Sequence, residues 1–193
     1  MSSAGESLRE RTRRAVRAEI ADAAMGLFLS RGFEETTVED VAQAAGISRR
    51  SYFRYFTSKE EVLAEGLATV GRTIAAALES RPHGEEPWSA LRRAFDPVVH
   101  LADTDPHARA LGRLMLQHPH VQRDKDATWA SEIAQALSPR IDSTDHTAIH
   151  VDALVAAALA CLHVAQQHWL APGADDTLGA LLDDTMTTLR PFA

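Results

Sequence analysis

TVEDVAQAAGISRRSYFRYFTSK, residues 37–59, contains three helix starts and a helix stop in one short run. Thr37 suits an N-cap, and Asp40 three residues on completes a capping-box spacing. Val38, Val41, Ala42 and Ala45 recur at i, i+3, i+4 and i+7, the period of a helix with one apolar face. Gly46 ends that helix where a left-handed residue without a Cβ is cheap, and Ile47 plugs the turn. Ser48 is the next N-cap, and the pattern predicts a second helix of about two turns over 49–56. Ser58 with Glu61 repeats the capping-box spacing and opens a third helix. Helix, glycine turn and short second helix make a helix-turn-helix.

The second helix carries Arg49, Arg50 and Arg54, with Ser51, Tyr52 and Tyr55 between them. Arginine bonds bidentately to O6 and N7 of guanine in a major groove, and hydroxyls reach phosphates or bases. The alternative is a solvated basic face on an ordinary helical protein. A short, capped, basic and aromatic helix directly after A-x-x-A-G-I-S favours nucleic acid.

Working outward, residues 9–30 form a first helix with the stripe Ile20, Ala23, Ala24, Leu27 and Phe28. Gly32 suits its C-terminal cap, and Phe33 can fold back on the last turn. The three helices share an expected core of Leu27, Phe28, Phe33, Val38, Val41, Ile47, Phe53 and Phe56. This predicts a DNA-binding domain over 1–58 and a helical effector-binding and dimerisation domain over 59–193. The helix 59–80, with Val62, Leu63, Leu67, Val70 and Ile74 inward, connects the two mechanically. After the breaker-rich loop 81–87, a helix over 88–101 turns Trp88, Leu91 and Phe95 inward, and Pro97 kinks or ends it. Further helices begin at Asp105-Pro106, run over 121–137 until Ser138-Pro139, and fill 145–170 and 175–189. Helix 145–170 is apolar on more than one side and must bury more than one side. With the last helix it predicts an isologous dimer through Leu154, Leu162, Leu178, Leu182 and Met186. The alternative is that both helices complete the monomer core.

The chain of 193 residues, 45% of them apolar, has ample material for a core. Its net charge of −7 is unevenly spread. Residues 1–59 hold ten Lys and Arg against eight Asp and Glu, a balance of +2, while residues 60–193 hold ten against nineteen, a balance of −9. A small basic part on an acidic body points to nucleic acid at the first part only. The single cysteine, Cys161, excludes an internal disulfide. The first twenty residues are polar and arginine-rich, with no signal-peptide core. The apolar run 153–162 is too short for a bilayer. A cytoplasmic protein without a membrane partner is expected.

GLFLSRGFEETTVEDVAQAAGISRRSYFRYFTSKEEVL, residues 26–63, resembles the TetR family of bacterial transcriptional regulators. The resemblance extends over about residues 15–65. It implies an all-α, Ω-shaped homodimer of about nine helices, with an N-terminal helix-turn-helix domain and a C-terminal effector pocket. It places base contacts on Arg49, Arg50, Ser51 and Arg54, and phosphate contacts on Thr37, Ser48, Tyr55 and Lys59. The position that often holds a phosphate-binding tyrosine in the family is Phe53 here. Tyr52 next to it is either a substitute phosphate contact or a packed residue. The arginines of 9–17 form either a basic arm for the minor groove or phosphates, or a solvated tail.

The remaining constellations carry less. His146 and His150 have the i, i+4 spacing of metal ligands, with His107, His118 and His120 elsewhere. Nine histidines make chance pairs common, and no metal or other cofactor is assigned. Cys161 reads as a small core residue, and His163 faces another way, so no nucleophile and base pair forms. No phosphate loop or paired-carboxylate site is present, which argues against an enzyme. Phe95, Leu114, Met115, His118, Trp129, His163 and Trp169 are candidates to line a mostly apolar pocket. The expectation is a repressor released from a palindromic operator on double-stranded DNA by a small-molecule effector. The alternative is a helical ligand-binding or protein-interaction module that no longer reads DNA.

Overall fold

The computed structural model describes residues 7–105, 108–117, 119–142 and 146–189, and among them there is no strand. The helices are α1 (Leu8–Arg31), α2 (Val38–Ala44), α3 (Arg49–Tyr52), α4 (Lys59–Glu79), α5 (Pro87–Ala94), α6 (Asp96–Thr104), α7 (Ala108–Gln117), α8 (Pro119–Leu137), α9 (Thr147–Trp169) and α10 (Leu178–Thr188). A 3-10 turn over Ser138–Arg140 follows α8. Contacts divide the chain into two compact units, one up to Thr69 and one from Val70. The division lies inside α4, not at its start. The reason is that the first turns of α4 pack with α1: Val62, Leu63 and Leu67 are buried, and a Cβ on Gly66 would stand 2.6 Å from Met25 Cγ.

In the first unit, α1 ends where the sequence places its stop. Gly32 takes φ 96°, its N–H reaches the Phe28 carbonyl, and Phe33 stacks back on Phe28 with ring centroids 4.8 Å apart. The core is Ile20, Ala24, Phe28, Phe33, Val41, Ala42, Tyr52 and Phe56, with buried Thr36 donating to the Gly32 carbonyl at 2.7 Å. Phe53, expected inside, is 47% exposed. Tyr52 and Phe56, spaced i, i+4, take the inner face, and that phase turns Phe53 outward with Arg49. The second helix is also shorter than two turns: α3 is four residues, and 53–55 continue as turn.

In the second unit, α10 packs along α9, and both close over α5, α6 and α8. The helix expected over 88–101 is two, broken at Phe95. Pro97 has no N–H to continue the ladder, so the chain turns before it and restarts with Pro97 in the first turn of α6. Trp88 donates its indole N–H to the Met186 carbonyl at 3.0 Å. Arg140 donates to the Leu78 and Pro82 carbonyls at 2.9 and 2.8 Å and to the Arg81 carbonyl, closing the C-terminal end of α4.

The 23 residues of α9 correct the reading of the apolar run as too short for a bilayer. At 1.5 Å per residue the helix is about 35 Å long, and by length and composition it is enough to cross a membrane. Its apolarity has a local use. Val151, Val155, Ala158, Cys161, Leu162, Ala165 and Trp169 are all buried in the core of the second unit.

Candidate nucleic-acid interface

Two side-chain caps and one glycine set the geometry of the α2–α3 pair. The Thr37 hydroxyl oxygen accepts from the Asp40 N–H at 3.1 Å, and the Thr37 N–H donates to the Asp40 carboxylate at 2.9 Å. The Thr37 hydroxyl also donates to that carboxylate at 2.6 Å, and the two bonds to it, the hydroxyl first, hold the Asp40 carboxyl below its ordinary range. Gly46 takes φ 67°, a left-handed conformation that costs a Cβ-bearing residue. The chain then doubles back, with the Ile47 N–H on the Ala42 carbonyl at 2.9 Å. The Ser48 hydroxyl oxygen accepts from the Ser51 N–H at 3.1 Å and starts α3.

This frame turns the three arginines outward. Arg50 is exposed, with no ion pair or hydrogen bond among the described residues. Arg49 pairs with Glu39 of α2 at 2.8 Å and lies 5.7 Å from the Phe53 ring centroid. Arg54 is exposed beside the Tyr55 ring, 5.6 Å from its centroid. Ser51 is half-buried, and its hydroxyl accepts from that of Ser48 at 3.1 Å. Lys59 opens α4 with its ammonium donating to the Phe33 carbonyl at 2.7 Å, over the Phe33 ring.

One expectation fails here on burial and helix phase. Tyr52 is no phosphate contact: it is fully buried and donates its hydroxyl to the Ser58 carbonyl at 3.0 Å. Burial, with the nearby Glu61 and Glu60 charges, pushes the Tyr52 phenol up to about 12. The arginines of 9–17 stand on a helix rather than in a tail, since α1 already starts at Leu8 behind a Ser7–Glu10 capping box. Arg17 faces inward. It donates to Glu65 at 2.8 Å, to Glu61 at 3.0 Å and to the Tyr55 carbonyl, and covers the Phe56 ring at 4.1 Å. That four-way clamp ties α1 to the residues just after α3 and to the first turns of α4. Its sequence signal, one arginine among five near the N-terminus, is indistinguishable from its neighbours.

The capping box of α4 is shared rather than reciprocal. Ser58 accepts from the Glu61 N–H at 3.2 Å, but the Glu61 carboxylate takes the Thr57 N–H at 2.7 Å.

Residues 20–65 match the family described as bacterial regulatory proteins, tetR family, and residues 85–192 match the MftR C-terminal domain. A Mycobacterium tuberculosis protein named for regulation of mycofactocin biosynthesis, MftR, is 30% identical over 85% of this chain and 86% of its own length. The chain belongs to the TetR family of transcriptional regulators. The HTH-type transcriptional regulator TcmR of Streptomyces glaucescens is 42% identical over 95 residues, 49% of this chain and 42% of that protein. The chain thus spans less than half of TcmR. Among solved structures, Thermus thermophilus FadR, a TetR-family repressor in complex with lauroyl-CoA, aligns with a TM-score of 0.62 at 25% identity, covering 90% of this chain and 92% of its own.

As a TetR-family member the chain is a DNA-binding regulator and not an enzyme. The second unit redistributes the residues named for dimerisation. Leu162, Leu178, Leu182 and Met186 are buried in the unit's own core, and Leu154 is partly buried against it. They fill the α9–α10 seam because both helices turn their larger side chains toward each other. The outward face of α9 shows Ala153, Ala156, Ala160 and Val164 instead.

Of the pocket candidates, Phe95, Leu114, Met115, Trp129 and Trp169 are buried. His163 is half-exposed, with its Nε2 at 3.0 Å from Gln167, and His118 lies outside the described residues. Trp169 lines a cleft of about 290 Å³ with Asp103, Arg109 and Asp176. Of the histidines weighed as metal ligands, His146 and His150 are exposed, while His107 lies outside the described residues, as does the His120 side chain. Sequence reasoning missed Lys125. Its side chain is 3% exposed, over the Trp129 ring at 4.5 Å and 3.1 Å from Asp126. Burial pushes its ammonium below the ordinary lysine range, against the opposing pull of Asp126.

Proposed function

We propose that the protein is a repressor whose dimer presents two copies of α3 to successive major grooves of a near-palindromic operator. Half-sites then lie about 34–36 Å apart, or a multiple of that. The observation that carries this is the outward set Arg49, Arg50 and Arg54 on a helix whose entry is held by the Thr37 box, Gly46 and the Ser48 cap. Arg49, Arg50, Ser51 and Arg54 read base edges. Thr37, Ser48, Tyr55 and Lys59 touch phosphates, Lys59 at the N-terminal end of α4, where the helix dipole adds to its charge.

Dimerisation uses the outer face of α9 with the end of α10. Ala153, Ala156 and Ala160 let a second helix approach closely, and Val164 and Leu189 are 40% and 53% exposed. A small-molecule effector binds the second unit and favours an arrangement with the wrong half-site spacing, lowering affinity by its differential binding energy. Lauroyl-CoA in the FadR complex makes acyl-CoA thioesters the first ligands to screen.

The test is enrichment of bound duplex from a random-sequence library, followed by salt titration. A palindromic motif whose complex outlasts non-specific binding as salt rises supports the repressor. Absence of enrichment moves the assignment to a ligand-binding module that does not read DNA. Val164→Glu should shift the sedimentation coefficient from dimer to monomer; an unchanged dimer places the interface elsewhere.

A further inference from the structure

An open cleft of about 510 Å³ lies between the start of α1 and the residues just after α3, lined by Leu8, Arg9, Thr12, Arg13, Arg54 and Tyr55. Three of its six lining residues are arginines. Arg9, Arg13 and Arg54 are all exposed, and none has a carboxylate partner among the described residues. Arg9 and Arg13 stand one helical turn apart on one face of α1. Glu10, the nearest acid in sequence, is folded away onto the Ser7 N–H and hydroxyl at 2.8 Å each. The cleft is therefore a concave, uncompensated cationic surface on the DNA-binding unit.

It is also rigidly placed. Arg17, one turn beyond Arg13, holds the Tyr55 carbonyl and the α4 carboxylates Glu61 and Glu65. Arg54 and Tyr55 thus cannot shift against α1 without breaking that clamp. Any duplex seated on α3 meets Arg54, and Arg54 is shared between the recognition surface and the cleft.

We propose that this cleft is a second DNA-backbone site, in which Arg9 and Arg13 bind phosphates beside those next to the recognition helix. The proposal rests on the operator reading and extends it: affinity and salt dependence are set partly by α1, and sequence choice by α3. Arginine on phosphate positions the protein without specifying bases. Removing such contacts weakens binding to all sequences and flattens the salt dependence by about 0.9 in log K against log salt for each phosphate lost.

The experiment compares wild type, Arg9→Gln/Arg13→Gln and Arg9→Lys/Arg13→Lys, full length, on two duplexes: one enriched by the wild type and one of random sequence. The glutamine pair should enrich the same motif as wild type, with a salt slope reduced by about 0.9–1.8 per protomer on both duplexes. The lysine pair, which keeps the point charges, should restore the slope. An unchanged slope in the glutamine pair overturns the cleft while leaving the operator reading intact. Failure of lysine to restore the slope overturns the phosphate assignment. A wild type that holds neither duplex overturns the operator reading and the cleft together. Both positions are exposed, and helical circular dichroism verifies that each variant is folded.

Discussion

Arg17→Ala is the sharpest test of how the first unit is held. The side chain is 21% exposed and faces Glu65 at 16% and Glu61 at 36% exposure. Exposed ion pairs contribute about 0–1 kcal/mol, and breaking a fully buried one costs about 3–5 kcal/mol. Arg17 lies between these limits. It also loses a charged hydrogen bond to the Tyr55 carbonyl and its seat on the Phe56 ring. Truncation should cost about 2–3 kcal/mol, most of it from Glu65 left partly buried without its partner. Amide hydrogen exchange localises the effect: α1 and α3 should open about 30- to 150-fold more often, at about 1.4 kcal/mol per tenfold. The three tryptophans, Trp88, Trp129 and Trp169, all lie in the second unit, so their emission reports that unit separately. Arg17→Ala paired with Glu65→Gln in a double-mutant cycle should show coupling well above 0.5 kcal/mol. Protection of α1 and α3 within about 0.5 kcal/mol of wild type would refute the clamp.

Three further outcomes are expected. Burial raises the Glu61 carboxyl, but the Thr57 N–H, the Thr57 hydroxyl and Arg17 outweigh it and leave it below the ordinary range. Its stabilisation is then present above the unfolded value near ~4.3 and lost as pH falls through the folded one, so Glu61→Gln should flatten the acid limb of urea stability between about pH 5 and 3. The Tyr52 phenol, pushed up to about 12, has the opposite limb. Its stabilisation is whole below the unfolded value near ~10 and is lost as pH rises toward the folded one. Tyr52→Phe should remove that alkaline loss, cost about 1 kcal/mol at neutral pH through the Ser58 carbonyl, and leave the DNA salt slope unchanged. A reduced slope would show that Tyr52 does reach phosphate. Finally, a Cβ on Gly71 would stand 2.5 Å from Trp129 Cδ1, so Gly71→Ala should destabilise by about 1–3 kcal/mol. Thermal melting that does not move would mean that the Trp129 ring shifts freely.

Local pattern was enough for everything governed by neighbours in sequence. The caps at Thr37 and Ser48, the left-handed Gly32 and Gly46, and the outward Arg49, Arg50 and Arg54 all follow from spacings of four residues or fewer. Only tertiary packing decided what depends on phase or on distant partners. Tyr52 and Phe53 each had a helical partner at Phe56, at i, i+4 and i, i+3. The core admitted the tyrosine because the Ser58 carbonyl lay within reach of its hydroxyl. Arg17 looked like any arginine of a basic run until Glu61 and Glu65, more than forty residues away, came within 3.0 Å. Leu162, Leu178, Leu182 and Met186 read as a sticky face, but an apolar side chain does not record whether its neighbour belongs to its own chain or to a second copy. Burial in the α9–α10 seam settled that, because apolar surface covered inside one subunit is no longer available to another.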